Sequence, residues 1–405
     1  MQPTQLYLDT AKLGRMSPSA RCAHDDLSRL ASDEAGSPFF DRFLRDGAGD
    51  WTASLAARYP GLAGWRGVGR LKDQLRKLVG TKVDHPILLA SRSAQLMKLA
   101  ARLFFGPCHN VLVSDLGWPG YHAILEGEAR RLGRRVTVVL LRDGVLRKGW
   151  GEEEVSRAVQ DTYRQSGCDG VFLSTVSNLG VRLPISRIVS ALEAASEPRF
   201  VVLDGAQELN HVPTDLSREE CDLYLAGAHK WLGAFNPLGL GFYGRYRSRA
   251  LIDTLLAALT GTGEIDDPLL RLSGQFERDL VEAFSETVSL VPLFSCHGAV
   301  NDAVVGGSRC RPTDFSLLAT LAAECGWSAL VPEPPMQTAI LLLQSIHADV
   351  RTRDPALVRA HFGRRGVALT SYADGLIRLS LPADGLQPEG WGILRESLVS
   401  VSNCP

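Results

Sequence analysis

Short apolar segments alternate with helical segments along the middle of the chain, from about residue 90 to about residue 260. Helices of roughly 10–15 residues, such as the one predicted at Glu152–Gln165, separate the segments that are typical of strands. The predicted strands are Asn110–Asp115, Val136–Leu141, Val171–Val176, Val201–Asp204, Asp222–Gly227 and Gly239–Gly244. Apolar strands joined by helices form a mainly parallel sheet that is covered on both faces. The sequence therefore predicts an α/β fold whose ligand site lies at the carboxyl ends of the strands.

The pattern changes after about residue 285, where strand candidates at Ala339–Ser345 and Ile377–Leu381 flank a helix candidate at Pro355–Arg364. This arrangement predicts a smaller α+β domain at the C-terminal end, and 405 residues are enough for two cores. The N-terminal residues are expected to pack against that domain. The predicted divisions are an N-terminal segment at 1–25, a large domain at 26–285 and a small domain at 286–405.

Composition argues against several classes of partner. A formal net charge of −1 gives no electrostatic reason to expect nucleic acid or an anionic membrane. No apolar run approaches the roughly 18 residues of a membrane span, and the N-terminal residues lack the layout of a signal peptide. The eight cysteines are scattered without a CxxC pair, which is typical of reduced thiols rather than a metal site. We expect a cytoplasmic protein without a bound metal.

Lys230 is the only lysine after Lys148, and it lies in the segment CDLYLAGAHKWLG. An earlier strand candidate, VVLD, ends in Asp204, and Gln207 follows. A lysine placed in this way can form a Schiff base with a carbonyl cofactor, and pyridoxal phosphate pairs such a lysine with an acid at its ring nitrogen. The alternative is a surface lysine that follows a core strand.

A possible phosphate site lies in ILLASRSAQLMKL, where a strand candidate leads into a helix. Ser91, Arg92, Ser93 and Ala94 stand at the start of that helix, where free N–H groups and the helix dipole favour an anion. Ser93 is also suited to cap the helix with nothing bound. Both interpretations stay open.

Three further side chains have chemistry that suits a cofactor or an amino acid. Trp118 follows a strand and has a flat ring that can stack on a pyridine, as has the competing Tyr121, although tryptophan is also common in cores. Asn178 can donate to a phenolate oxygen, or it can simply serve a turn before glycine. Arg378 lies between apolar residues in GLIRLSL, so its guanidinium needs either a substrate carboxylate or a protein carboxylate.

Together these segments resemble the class V aminotransferase family of fold-type-I pyridoxal phosphate enzymes, which includes cysteine desulfurases, isopenicillin-N-epimerase-like proteins and kynureninases. The resemblance runs from YLDTAKLGRMSP to IRLSL. Its most specific part is VVLDGAQELNHVPTDLSREECDLYLAGAHKWLGAFNPLGLGFYGR. It implies pyridoxal 5'-phosphate as cofactor and a large domain with a mainly parallel seven-stranded sheet between helices.

The resemblance also implies roles for single residues. Lys230 matches the Schiff-base lysine, and His229 matches the histidine before it. Asp204 matches the partner of the ring nitrogen, and Gln207 the glutamine near the phenolic oxygen. Asn178 matches the asparagine of the family's SN-x-x-G loop, although Gly180 comes one residue sooner here.

The remaining matches concern the phosphate, the ring and the substrate. Arg92, Ser93 and Ala94 fall at the phosphate cradle, where the family favours glycine and threonine. Trp118 falls at the ring-stacking position, and Arg378 at the carboxylate-binding position near the C-terminus. The run TGTG, with Thr262, resembles the segment that reaches the partner subunit's phosphate. This last match implies a homodimer with active sites at the subunit interface.

The segment VALTSYADGLIRLSL lacks the cysteine that a desulfurase has shortly before its arginine. We therefore expect transformation of an amino acid through an external aldimine and a Cα carbanion, most simply by an aminotransferase. A β-eliminating C–S lyase or an epimerase acting on an amino-acid conjugate is the alternative. A non-catalytic protein that binds pyridoxal phosphate is the third hypothesis.

Overall fold

The computed structural model describes residues 6–34, 40–278, 286–306 and 315–401. Strands within these ranges belong to one seven-stranded, one four-stranded and one two-stranded sheet. The strands are β1 (Leu6–Tyr7), β2 (Ile87–Ala90), β3 (Asn110–Ser114), β4 (Arg135–Val139), β5 (Gly170–Ser174), β6 (Phe200–Asp204), β7 (Leu223–Gly227), β8 (Gly239–Tyr243), β9 (Trp327–Leu330), β10 (Ile340–Ser345), β11 (Val367–Ala368), β12 (Thr370–Tyr372) and β13 (Leu376–Ser380).

Helices cover both faces of the large sheet and also contact the smaller sheet. The described helices are α1 (Pro18–Glu34), α2 (Phe40–Asp46), α3 (Ala53–Arg58), α4 (Pro60–Ala63), α5 (Gly67–Val79), α6 (Ser93–Phe105), α7 (Pro119–Arg131), α8 (Arg142–Arg147), α9 (Glu152–Gln165), α10 (Ile185–Ser196), α11 (Arg249–Gly261), α12 (Pro268–Glu277), α13 (Val291–Gly306), α14 (Ser316–Glu324), α15 (Ala348–Thr352), α16 (Pro355–Arg364) and α17 (Pro388–Ser400). Within the described residues, no helix combines the length and hydropathy needed to cross a bilayer.

The seven-stranded sheet has the order β2-β8-β7-β6-β5-β3-β4. Strands β3 to β7 pair in parallel, whereas β8 runs antiparallel to both β7 and β2. The reversal at β8 follows from its connection, because a parallel neighbour needs a crossover that is usually a helix. The loop between Gly227 and Gly239, which carries Lys230, contains no helix. The predicted α/β fold with a mainly parallel seven-stranded sheet is confirmed.

The strands at the centre of this sheet are buried along their whole length, as parallel strands between two helical layers must be. Two apolar clusters pack on its faces, one with Leu173 and Leu203 and the other with Phe172 and Val202. The alternation within each strand explains this division, since neighbouring side chains point to opposite faces. The polar Asp204 ends β6 at the carboxyl edge of the sheet.

The smaller sheet is antiparallel, with the order β12-β13-β10-β9, and packs with a third apolar cluster that contains Trp327 and Phe362. Strand β1 pairs in parallel with β11, so the N-terminal segment contacts this part of the chain. Helices α1 and α13 instead contribute to the core beneath the large sheet. The predicted boundary at residue 285 lies outside the described residues, and the predicted domain limits stay a prediction.

Candidate active site

Lys230 lies in the loop between β7 and β8, against the N-terminal segment. The Gly14 N–H donates to the His229 carbonyl at 2.8 Å, and the Ser17 N–H donates to the Gly233 carbonyl at 2.9 Å. A Cβ atom on Gly14 would lie 1.8 Å from the Lys230 carbonyl oxygen, so only glycine fits there. The backbone of the lysine loop is therefore fixed from one side by residues more than two hundred positions away.

The electrostatic surroundings of Lys230 favour its neutral amine. The pKa of Lys230 is lowered to about 8. Burial is the main cause, the Asp204 carboxylate opposes the shift, and the charge of Arg378 adds to it. The same three residues that the sequence singled out thus act on one another. A lysine with this pKa has a substantial neutral fraction near neutral pH, which an ordinary lysine lacks.

Asp204 is buried at the end of β6. Its carboxylate accepts hydrogen bonds from the Ala206 N–H at 3.0 Å and from the Ser174 hydroxyl at 3.2 Å. Burial raises the pKa of Asp204, and the Lys230 charge and these two hydrogen bonds lower it. A cationic ring nitrogen against this carboxylate would offset the desolvation that now disfavours its charged form.

His229 is partly buried and has a buried Nδ1 atom without a hydrogen-bond partner in the described residues. Burial lowers the pKa of His229 to about 4, with further lowering by the charges of Lys230 and Arg92. The imidazole is therefore neutral at physiological pH, with one ring nitrogen open to a ligand.

The start of α6 lies against strand β8. A Cβ atom on Gly239 would lie 2.7 Å from the backbone of Arg92 and Ser93, so the glycine permits this close approach. Arg92 is the N-cap residue, and no side chain caps the first turn. Ser91 is committed elsewhere, because its hydroxyl and its N–H both bind the buried carboxylate of Asp267. The N–H groups available to bind an anion at the start of α6 are therefore those of Arg92 to Ala94.

The two candidate aromatic residues lie together at the start of α7. The ring of Trp118 meets that of Tyr121 edge-on, with centroids 5.0 Å apart. Half of the Trp118 surface is exposed, whereas Tyr121 is buried. Burial raises the pKa of Tyr121, and a hydrogen bond with Ser93 lowers it, which places this hydroxyl beside the α6 cradle. Trp118 is the one with a free ring face for stacking.

Arg378 is 4% exposed and has a protein carboxylate as partner. Its Nη2 lies 3.2 Å from Asp9 Oδ1, and its Nη1 donates to the Asn178 carbonyl at 3.1 Å. Its buried Nε has no hydrogen-bond partner in the described residues. The Tyr372 ring centre lies 6.0 Å from the guanidinium carbon. The structure thus contains the ion pair with a protein carboxylate, which was one of the two predicted partners of Arg378. The Nε donor is still available for a substrate carboxylate.

Asn178 lies in a loop whose shape depends on its neighbours. The Ser177 hydroxyl accepts from the N–H groups of Leu179 and Val181, at 3.2 and 3.1 Å. Gly180 has φ +88°, and a Cβ atom there would lie 2.4 Å from the Ile340 carbonyl oxygen. The early glycine of this loop is thus required by its fit against the small domain.

Gln207 is buried, and both ends of its amide have protein partners. Its Nε2 donates to the Ala11 carbonyl at 2.7 Å, and its Oε1 accepts from the Trp231 indole at 2.8 Å. The Trp231 ring in turn stacks on His211 with centroids 3.6 Å apart. Gln207 therefore joins the N-terminal segment to the lysine loop. Its assignment to a phenolic oxygen stays a prediction.

Thr262 makes no contact with the other candidate site residues of the same chain among the described residues. It ends α11, is exposed, and bonds through its hydroxyl to the Ala258 carbonyl at 3.1 Å. No described contact joins it to Lys230 or to the α6 cradle. Its role at a partner's phosphate stays a prediction.

Sequence reasoning missed Asp9, Thr370 and Ser174, which bind the predicted residues directly. Asp9 carried a signal, because it is an acid directly after the apolar run LYL. Thr370 and Ser174 are ordinary strand residues, and no local pattern distinguishes them.

The described site fits pyridoxal phosphate on three counts. Asp204 is a buried carboxylate without a lysine or arginine nitrogen in contact among the described residues, as a ring nitrogen would require. His229 has an unpartnered buried nitrogen. The start of α6 is uncapped and is suited to a phosphate. We expect the phosphate at Arg92, Ser93 and Ala94.

Comparison with known proteins agrees with this reading of the fold. The family model "Aminotransferase class-V" matches residues 66–280, more than half of the chain. A Streptomyces clavuligerus protein named isopenicillin N epimerase is 39% identical over 71 residues, which are 18% of this chain and 17% of that protein. The alignments span between 17% and 38% of the curated relatives' length.

Solved structures share the whole architecture at low sequence identity. The cystine C-S lyase C-DES, in complex with cysteine persulfide, has a TM-score of 0.69 at 17% identity, and 97% of each chain is covered. Alanine–glyoxylate aminotransferase from Nostoc sp. has a TM-score of 0.66 at 16% identity, with 99% of this chain and 96% of that chain covered. These likenesses concern the fold. Fold and family model together define a pyridoxal-phosphate-dependent enzyme. The chain belongs to the class V aminotransferase family.

Proposed function

We propose that the protein is an aminotransferase that uses pyridoxal phosphate to act at the Cα atom of an amino acid. The observation that carries the proposal is the Lys230 amine, which lies near Asp204 and Arg378 and whose pKa burial lowers to about 8. The bound cofactor supplies an electron-withdrawing ring that stabilises negative charge at Cα.

Lys230 has two tasks in this proposal. Its Nζ would anchor the cofactor, and as a free neutral amine the same atom would accept the Cα proton of the substrate. Amino-group transfer requires an amine that can accept a proton and return it, and a pKa of about 8 suits both directions. Desulfurase chemistry is disfavoured because no cysteine lies in the described segment Val367–Leu376 that precedes Arg378.

The other residues bind and orient. Asp204 would hold the ring nitrogen in its protonated form, because an adjacent anion raises that nitrogen's pKa. Arg378 binds the substrate carboxylate, and His229 with the α6 cradle binds the phosphate. We also propose a homodimer in which Thr262 reaches the phosphate bound by a second copy.

The anchor is tested by borohydride reduction followed by peptide mass analysis. Lys230→Ala should lose the trapped cofactor, whereas Lys98→Ala, which removes an exposed lysine on α6, should retain it. Undiminished trapping in Lys230→Ala would overturn the assignment. The reaction is tested with amino acids plus a keto acid: a new amino acid assigns transfer. Ammonia with a keto acid assigns β-elimination, and inverted substrate assigns epimerisation.

A further inference from the structure

We propose that Asp9 is the positioning residue that orients Arg378 toward a substrate carboxylate. This inference rests on the proposed function of the site. Asp9 lies on the N-terminal segment, 369 positions from Arg378, and both side chains are buried. A carboxylate buried beside the arginine that binds substrate fixes that arginine's orientation in a way that solvent cannot.

Three groups form a closed set of hydrogen bonds on one side of the guanidinium. Arg378 Nη2 donates to Asp9 Oδ1 and to Thr370 Oγ1, each at 3.2 Å. The Thr370 hydroxyl donates to the same Asp9 oxygen at 2.6 Å. One oxygen of Asp9 thus accepts from both partners, and the arginine cannot rotate about its side chain without breaking these bonds.

The other side of the guanidinium is less occupied. Nη1 donates to the Asn178 carbonyl, and the buried Nε has no partner among the described residues. These contacts use three of the five N–H donors of an arginine. An incoming carboxylate is a chemically suitable acceptor for the donors left over.

Asp9 is itself fixed from both sides. Two residues later, the Ala11 N–H donates to the Ser380 hydroxyl on β13 at 2.9 Å, and the Ala11 carbonyl accepts from Gln207. Gly14 then bonds to the loop of Lys230. The N-terminal segment from Asp9 to Gly14 therefore sets the position of Arg378 relative to Lys230. A buried salt bridge without these further bonds would not do so.

The test compares Asp9→Ala, Asp9→Asn and Arg378→Gln with Asp349→Asn, a control that alters the ion pair between the exposed Asp349 on α15 and Arg353. Calorimetry on the holo-protein measures the binding of propionate, and kinetics measure KM for an amino acid and for its decarboxylated amine. Asp9→Ala should weaken propionate binding and raise KM for the amino acid by about tenfold or more, because a hydrogen bond to a charged group is lost. The amine should be unaffected.

Asp9→Asn should restore most of the affinity, because asparagine keeps the accepting oxygen. Failure of Asp9→Asn to restore binding, or an equal loss for the amine, would overturn the inference. If Arg378→Gln abolishes propionate binding and Asp9→Ala does not, Asp9 has no positioning role while the proposed function stands. If the wild-type protein lacks the visible absorption of bound cofactor, both the inference on Asp9 and the proposed function are wrong. Should Asp9→Ala fail to fold, Thr370→Val is the second variant, because it removes the hydroxyl that bonds to both Asp9 and Arg378. It is expected to weaken the binding of propionate and not that of the amine.

Discussion

Lys72, which is buried, and Lys230, which is partly buried, have similar pKa values and different surroundings. Burial lowers the pKa of each to about 8. Lys72 Nζ donates to the Ser273 carbonyl at 3.0 Å and to the Glu277 carboxylate at 2.7 Å. Within the described residues, Lys230 Nζ has no ion-pair partner within 4.0 Å. We therefore predict that methionine at position 230 stabilises the apo-protein, whereas methionine at position 72 gives little or no stabilisation.

The magnitude at position 230 follows from the pKa. A fall from 10.5 to about 8 corresponds to roughly 3 kcal/mol at about 1.4 kcal/mol per pKa unit. This is a net figure, since the attraction to Asp204 is already part of the pKa. The unfolded chain binds more protons between these two pKa values, so folding stability rises with pH there. The penalty is complete below about pH 8 and fades toward pH 10.5.

The expected effect at position 72 is smaller, because two changes oppose each other. Removing the Lys72 charge relieves the same desolvation penalty of roughly 3 kcal/mol. Lys72→Met leaves the Glu277 carboxylate without its closest cation, and breaking a buried pair on one side costs about 3–5 kcal/mol. Arg76 lies 3.6 Å from Glu277 and offsets part of this loss. The two contributions nearly cancel, so Lys72→Met should change the free energy of unfolding by no more than about 1 kcal/mol.

Urea unfolding of the apo-proteins at pH 7 and at pH 9.5 measures both effects. Lys230→Met should be more stable than wild type by up to about 3 kcal/mol at pH 7. Its advantage should shrink at pH 9.5. A Lys230→Met protein that is less stable than wild type at pH 7, or an advantage that does not change with pH, would refute the reasoning. Both results would mean that the amine is not desolvated.

Two further substitutions test the site and its framework. Asp204→Asn should keep the fold but lose about a hundredfold or more of turnover, because an interaction worth about 3 kcal/mol with the ring nitrogen is removed; turnover near the wild-type value would exclude that role. Gly180→Ala should lower the free energy of unfolding by about 1–3 kcal/mol, because the residue has φ +88° and the added Cβ meets the Ile340 carbonyl; unchanged stability in urea would show that the loop can relax.

Local patterns were sufficient for the strands of the large sheet and for the residues at their ends, but the short strands β1, β9, β11 and β12 were not predicted. The helices Glu152–Gln165 and Pro355–Arg364 have the predicted bounds, and β6 ends at Asp204 as predicted. These features depend on residues close together in sequence, through periodicity and burial. The antiparallel β8 depends on something else, namely a connection too short for a crossover helix.

Contacts between distant segments were not predictable in the same way. Two explanations for Arg378 had equal standing because its partner, Asp9, lies 369 positions away. Ser91 and Ser93 looked alike in the cradle until Asp267, 176 positions from Ser91, bound one of them. Gln207 contacts Ala11 across a similar distance. A single sequence carries no local signal for such pairs, so side-chain chemistry alone leaves the acceptor open.

Binding of a substrate carboxylate and the base strength of Lys230 are linked through the charge of Arg378. Arg378 lowers the pKa of Lys230, so each charge that neutralises the guanidinium raises that pKa again. Asp9 already does so in part, and a substrate carboxylate on the remaining donors would do so further. Since a stronger base accepts a Cα proton more readily, the lysine becomes more basic as the proposed substrate arrives. Before that, the depressed pKa leaves a larger share of the amine neutral than in an ordinary lysine, and the neutral amine is the form needed to bind a carbonyl cofactor. One arginine therefore serves both stages, provided that the N-terminal segment keeps it beside the lysine.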